Sequence, residues 1–237
     1  AVGSDIDFLL SAEQVGEYAS AITNALINRV ITEGVSAVQT ATSRSAENAA
    51  LAQYNNLIAN NFGSLKNNLL ARIDAVIEPR QEANTVIDLT VAALNDYKKS
   101  LQKLFNDFTV TNKTFCSPPQ SQPNAPTVNV GSAKAQITAE ITQTDSAVTQ
   151  LQGDKAINND LINFLLETKS EIEQLAINND GFLQLQTIEN QISNYLDSTG
   201  ANNFKTSLQD QNTAVNQNIS NTLATLNPQL QQCQQSQ

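Results

Sequence analysis

The 237-residue chain contains no His, no Trp and no Met. Without His it cannot form a Ser-His-Asp triad, a Cys-His catalytic pair or a metal site with imidazole ligands. A zinc site would need Cys and carboxylates alone, and two Cys far apart in the chain lack the spacing of a structural site. Because Met is missing even from position 1, we expect that Ala1 is the end left by removal of a leader.

Charged residues are also few, at 15% of the chain, and 23 acidic residues outnumber 13 basic ones. The formal charge of −10 at pH 7 repels phosphate groups, so nucleic acid is not expected as a partner. No run of 18 apolar residues occurs, which predicts that the chain is not transmembrane. Its polar faces must be made largely of Asn, Gln, Ser and Thr.

Apolar residues make up 40% of the chain, enough for a core built mainly from Leu, Ile, Val and Ala. They recur at steps of three and four, the spacing of one helix face, and the alternation typical of strands is nearly absent. Two of the clearest stripes are Val15, Tyr18, Ile22, Leu26 and Val30, then Ile87, Val91, Leu94, Leu101, Phe105 and Phe108. These patterns predict an all-α fold, an amphipathic helical bundle with long helices and a helix content above roughly half.

Prolines and glycines mark the expected boundaries. Four of the six prolines lie at 117–131, in a Ser-, Gln- and Asn-rich stretch that cannot be helical. We therefore expect an N-terminal helical half (1–116), a Pro-rich linker and a C-terminal helical half (132–237), with one continuous bundle as the alternative. Pro79 is expected to break or kink a helix and Pro228 to end one. Helix ends are also expected at Gly34, Gly63, Gly153, Gly181 and Gly200, with kinks in long helices as the alternative at Gly34 and Gly63.

Two local signals stand apart from the helical stripes. The pentapeptide Ala-Ile-Asn-Asn-Asp occurs at 156–160 and again at 176–180. Because Asn and Asp are good helix N-caps, both copies are expected near helix starts, with chance recurrence as the alternative. The run at 127–130 has the composition of an extended segment but no obvious partner strand.

The two cysteines, Cys116 and Cys233, are 117 positions apart and fit neither a CxxC motif nor a metal-binding spacing. An even count of this kind predicts one disulfide, and a disulfide indicates an oxidising compartment. Two free thiols in a reducing compartment are the alternative. Glycosylation sequons at Asn112 and Asn218 agree with a secretory route. The chain is therefore expected to be a secreted, acidic glycoprotein.

Few residues match a catalytic pattern. Ser100 and Lys103 have the Ser-x-x-Lys spacing of some acyl-transfer enzymes, but the other motifs of those enzymes are missing. The basic cluster that includes Lys98 and Lys99 is interpreted as a polar helix face. We expect no catalytic residue, no metal ion and no cofactor, and hence a protein that is not an enzyme.

Two functional hypotheses remain. The first is a secreted carrier or sequestering protein for a small apolar ligand, a lipid for example. Its layout resembles exchangeable lipid carriers in a general way. The candidate ligand-binding residues are Leu94, Leu101, Phe105 and Phe108, which share one helix face and end in two aromatic rings. The second is an extracellular structural or interaction protein acting through helix–helix association, whose partner is another copy of the chain or a different protein.

Overall fold

A computed structural model describes residues 41–235, with the backbone alone described at 41–47, 50, 51 and 54. This part of the chain is almost entirely helical. Its α-helices are α1 (Ala41–Val110), α2 (Val130–Glu173), α3 (Asn179–Ile192) and α4 (Ser198–Gln235), with a 3₁₀ turn at Ser193–Tyr195. The predicted all-α fold is confirmed. The predicted stripe from Val15 to Val30 and the boundary at Gly34 lie outside the described residues.

One pair of very short strands lies between α1 and α2. Strand β1 (Phe115–Cys116) pairs antiparallel with β2 (Val128–Asn129), so the run at 127–130 has the partner that the sequence did not reveal. The residues between these strands, 117–127, form turns and irregular structure, as their prolines predict. Helix α2 begins at Val130, one residue before the predicted end of the Pro-rich linker at 131.

Several expected helix breakers lie inside helices. Helix α1 passes through Pro79 and α4 through Pro228, so the prediction that Pro228 ends a helix is wrong. Gly153 lies within α2, and the predicted break there is also wrong. A proline removes one backbone hydrogen bond and an interior glycine costs about 1 kcal/mol, amounts that the buried faces of long helices outweigh. Gly181 and Gly200, by contrast, are the third residues of α3 and α4.

Contacts divide the chain into two compact units. Among the described residues, the first comprises 41–77 and Asn163–Ser198, and the second comprises Glu78–Ile162 and 199–235. Each unit draws residues from both sides of the Pro-rich stretch. The division into helical halves 1–116 and 132–237, with one continuous bundle as the alternative, stays a prediction.

In the first unit, buried apolar side chains come from α1, from the last part of α2 and from α3. The buried residues of α1 follow steps of four and three: Ile58, Phe62, Leu65, Leu69, Ile73 and Val76. Those of α3 are Phe182, Leu185, Ile188 and Ile192. Lys169 of α2 forms an ion pair with Asp74 of α1 at 2.9 Å, and Arg72 of α1 pairs with Glu189 of α3 at 3.1 Å. One apolar face of each helix is thus buried, with charge pairs at its edge.

In the second unit, α1, α2 and α4 pack around two apolar clusters. The larger includes Leu101, Leu104, Phe108, Ile137, Leu226 and Leu230, together with Cys116 and Cys233. The smaller consists of Ala83, Ile87, Leu94, Leu151 and Leu208. Each fully buried Leu, Ile or Phe contributes about 1.5–3 kcal/mol, whereas an exposed ion pair contributes about 0–1 kcal/mol. The apolar clusters are therefore the main source of this unit's stability.

The repeated pentapeptide has two different structural roles. In the second copy, Asn178 is the N-cap of α3 and accepts a 2.8 Å hydrogen bond from the backbone N–H of Gly181, as predicted. The first copy lies inside α2, so its predicted position near a helix start is wrong. There Asn158 is buried, and its amide bonds with Arg80 and Asn84 of α1. Residues of α1 supply the hydrogen-bond partners that this buried side chain requires, and it does not act as an N-cap.

Candidate functional site

The predicted disulfide is present and fastens the irregular segment to α4. Cys116 of β1 is bonded to Cys233 of α4, with Cα atoms 5.0 Å apart and both residues buried. Beside it, the Gln232 side-chain amide donates to the carbonyl oxygens of Cys116 and Pro126, both at 2.9 Å. The Lys113 ammonium donates to the carbonyl oxygen of Cys233 at 2.8 Å. One covalent bond and three hydrogen bonds therefore hold this segment against the helix.

An open cleft of 610 Å³ lies beside the disulfide. Its walls are the 119–129 segment, the first turns of α2 and the last turns of α4. The amide side chains on these walls are Gln122, Asn129, Gln136, Gln229, Gln231, Gln232 and Gln235. The apolar wall residues are Pro119, Ala125, Pro126, Val128, Ala133 and Pro228, and the hydroxyl residues are Ser121, Thr127 and Ser132. We call this feature the amide cleft.

Among residues 41–235, none of those that line the amide cleft carries a charge, although the chain as a whole has a formal charge of −10. Primary amides both donate and accept hydrogen bonds without favouring a ligand of either sign. The proline and alanine side chains add apolar surface between them. The cleft volume falls in the range of small-molecule sites, though its lining is more polar than usual. This arrangement suits an uncharged molecule with both polar and apolar parts.

The four predicted ligand-binding residues lie elsewhere in the second unit. Leu94, Leu101 and Phe108 are at most 5% exposed, Leu94 in the smaller apolar cluster and the other two in the larger. Phe105 is partly buried against the larger cluster, and the Lys134 ammonium lies 4.6 Å from the centre of its ring. A shallow depression of 450 Å³ adjoins Phe105 and Ile141.

Sequence reasoning missed the amide cleft because its residues belong to no helical stripe. They come from the Pro-rich stretch, from the beginning of α2 and from residues 228–235. A signal was nevertheless present, since Gln and Pro are concentrated near both cysteines in the sequence. The predicted disulfide is sufficient to place these two segments next to each other.

The remaining predicted positions are on helix surfaces or turns. Lys103 pairs with Asp107 at 2.9 Å, and Lys98 pairs with Asp145 at 2.7 Å. Ser100 is exposed in α1, as is Lys99. Within residues 41–235, no group of three or more Cys, Asp or Glu side chains is placed to hold a metal ion. Over the same residues, no helix has the length and apolarity needed to cross a membrane.

The buried Tyr97 hydroxyl lies in a strongly perturbing electrostatic environment in the second unit. It donates a 2.7 Å hydrogen bond to Glu140 Oε2, which also accepts from the Asn218 amide at 3.3 Å. Burial raises the pKa of Tyr97 well above its ordinary value of 10.0, and the carboxylate of Glu140 raises it further, while a hydrogen bond with Thr222 acts in the opposite direction. Tyr97 is therefore neutral at physiological pH and joins α1 to α2 and α4.

Comparison with known proteins identifies no family for this chain. Family models, curated proteins and solved structures all gave no match. A function is therefore proposed from the chemistry of the amide cleft and from the packing around it.

Proposed function

We propose that this chain is a secreted, non-enzymatic binding protein that carries or sequesters a small uncharged molecule in the amide cleft. The observation that carries this proposal is the absence of charge among the described residues that line the cleft. Moving a charged ligand into such a lining would cost it solvation without supplying an opposite charge. An uncharged amphipathic ligand can exchange its water hydrogen bonds for those of the amides and place its apolar part against the prolines.

The ligand is assigned to the amide cleft because the helix stripe that contains Leu101 and Phe108 is packed against other side chains of the protein. Leu101 and Phe108 are fully buried among protein side chains, and interiors of this kind are close-packed. The amide cleft is open to solvent, and its walls are fixed by the disulfide and by Gln232. A fixed wall lowers the entropy lost when a ligand binds.

Two further observations support a secreted protein that does not catalyse a reaction. A buried disulfide is typical of proteins that fold in an oxidising compartment. The cleft offers the hydroxyls of Ser121, Thr127 and Ser132, but in the described part of the chain none of its lining residues has a carboxylate or an amine that could activate them. Such a site favours binding over turnover.

The test uses native mass spectrometry and two fluorescent probes, Nile red, which is uncharged, and anilinonaphthalene sulfonate, which is an anion. We expect the secreted protein to retain a small molecule or to bind Nile red, and to bind the anion much more weakly. Gln136→Trp, which fills the amide cleft from the exposed side of α2, should weaken Nile red binding roughly tenfold or more.

The matched control is Gln150→Trp, an exposed position on the same helix that does not line the amide cleft. It should leave Nile red binding unchanged. Equal losses in both variants would contradict the assignment to the cleft. A wild-type protein that retains no molecule and binds neither probe at micromolar concentration would contradict the carrier function itself.

Helix–helix association is the second candidate, and one observation in the first unit favours it. The rings of Phe164 and Tyr195 meet edge to face with centroids 5.3 Å apart, yet these residues are 41% and 48% exposed. Exposed aromatic rings in contact offer apolar area to a partner. Analytical ultracentrifugation should then show a dimer that Phe164→Ser weakens, and a wild-type monomer at high concentration would exclude self-association through this surface.

A further inference from the structure

We infer that the folded protein presents Asn112, and not Asn218, as its glycosylated asparagine. The sequence alone treats the two as equals, because each begins a sequon, one completed by Thr114 and the other by Ser220. The structure separates them, since the backbone around each asparagine is different. This inference depends on the proposed secretion but not on any ligand in the amide cleft.

Asn112 lies in an exposed turn directly after α1. Its φ of 55° is in the left-handed region, which Asn adopts more readily than most residues. The turn is held by hydrogen bonds from the Asn112 N–H to the Thr109 carbonyl at 3.1 Å and from the Val130 N–H to the Thr114 carbonyl at 3.0 Å. The asparagine and threonine side chains are both exposed on a segment that is not helical. This is the surface-loop setting that an N-linked glycan requires.

Asn218 lies inside α4, seventeen residues from its last residue, Gln235. Residues two positions apart on a helix do not face each other, so the Ser220 hydroxyl is directed away from the Asn218 amide. The Asn218 amide also donates to Glu140 at 3.3 Å, beside the buried Tyr97. An enzyme that needs the amide and the hydroxyl together would have to unwind α4 at this point.

The modification is a group transfer without oxidation or reduction. The Asn112 amide nitrogen forms a bond to the anomeric carbon of an oligosaccharide carried on a lipid pyrophosphate. The bond between that carbon and the pyrophosphate oxygen breaks, and the lipid pyrophosphate leaves and takes up the proton that the amide nitrogen loses. The donor and the transferase belong to the secretory compartment, and the protein supplies the acceptor amide and the hydroxyl of Thr114.

The experiment expresses the full chain behind a secretion signal in eukaryotic cells and measures intact mass before and after treatment with a glycan-removing amidase. Thr114→Ala and Ser220→Ala are a matched pair, since each destroys one sequon at an exposed residue while keeping its asparagine. Replacing Asn112 itself would place another residue at a positive φ and confuse the result with backbone strain. We expect one glycan on the wild-type chain, none on Thr114→Ala and one on Ser220→Ala.

A glycan that persists in Thr114→Ala, or two glycans on the wild-type chain, would overturn the inference. A wild-type chain with no glycan would overturn it as well. In that case Pro126→Thr, which completes a third sequon beginning at the exposed Asn124, shows whether the chain met the transferase. A glycan on Pro126→Thr but not on the wild-type chain would reject Asn112 as the modified residue and still support secretion. A Pro126→Thr chain without a glycan would count against secretion as well.

Discussion

Asparagine shows how single residues in this chain take their roles from what they contact. Asn158 is 1% exposed, accepts from the Arg80 guanidinium at 2.9 Å, and donates to the Arg80 carbonyl and to Asn84 at 2.8 and 2.9 Å. Asn178, in the same pentapeptide context, is exposed and makes one cap hydrogen bond. Removing a buried amide leaves several partners without a hydrogen bond, and removing an exposed cap leaves one donor that water can reach.

We therefore predict that Asn158→Ala lowers the free energy of unfolding by about 1–3 kcal/mol, and Asn178→Ala by about 1 kcal/mol or less. Urea denaturation followed by circular dichroism measures both. Asn178→Ser, which keeps a capping oxygen, should remain close to the wild type. A loss for Asn178→Ala that equals or exceeds the loss for Asn158→Ala would contradict this assignment of roles.

The raised pKa of Tyr97 predicts a specific loss of stability at alkaline pH. Below its ordinary value of 10.0 the phenol is neutral in both the folded and the unfolded chain, so its contribution is constant. As the pH rises further, Tyr97 ionises in the unfolded chain but stays neutral in the folded one. The free energy of unfolding then falls by up to about 1.4 kcal/mol per pH unit until the folded pKa is reached.

Tyr97→Phe should reduce this alkaline decline, measured as the difference in the free energy of unfolding between about pH 8 and about pH 11. The comparison is with the wild type, because other groups also titrate in this range. Tyr195→Phe, which changes an exposed ring, is the matched control. An alkaline decline as steep in Tyr97→Phe as in the wild type would refute the role given to Tyr97.

Two glycines show how the context of a helix decides what a residue does to it. Gly153 lies inside α2, and a Cβ atom added there would have no heavy atom within 4 Å. Gly181 lies in the first turn of α3, where an added Cβ would be 1.8 Å from the carbonyl oxygen of Ala176. The first glycine only weakens its helix, whereas the second allows the preceding backbone to pass close to the helix start.

Opposite effects are therefore expected from the same substitution. Gly153→Ala should raise the free energy of unfolding by about 1 kcal/mol, because alanine has the higher helix propensity. Gly181→Ala should destabilise the protein, since the rigid backbone of Ala176 must move. Thermal denaturation of both variants checks this, and the same sign of change in the melting temperature for both would contradict it.

At the scale of the whole molecule, the disulfide is the one covalent link between distant parts of the described chain. It closes a loop with a sequence separation of 117 residues. In the chain-entropy model a loop of this length contributes about 4–5 kcal/mol, as an upper figure, by restricting the unfolded chain. It also fixes the segment that forms one wall of the amide cleft.

Replacing both Cys116 and Cys233 by Ser should lower the free energy of unfolding by up to about 4–5 kcal/mol and weaken binding in the amide cleft. Denaturation and Nile red titration measure the two effects. The titration should be made under conditions where circular dichroism shows that the helices remain, so that unfolding does not mimic loss of the site. Unchanged stability in the double variant would show that the disulfide is not a structural support.

The sequence by itself determined the helical class and the disulfide. The helical class follows from the spacing of apolar residues within one segment, and the disulfide follows from the number of cysteines. Apolar residues seven positions apart, two helix turns, such as Ile87, Leu94 and Leu101, bury one helix face wherever the helix packs. Two cysteines outside any metal-binding spacing leave one pairing, and the structure contains it.

Only the tertiary structure decided which local signals prevailed. Pro228 and Gly153 look like helix ends in the sequence, but the buried faces of α4 and α2 on either side outweigh the cost of each. Asn158 is satisfied by a residue 78 positions away, and Gln232 bonds to a carbonyl 116 positions away. Polar groups are paired by neighbours in space, and a pattern read over a few residues cannot show which neighbours the fold supplies.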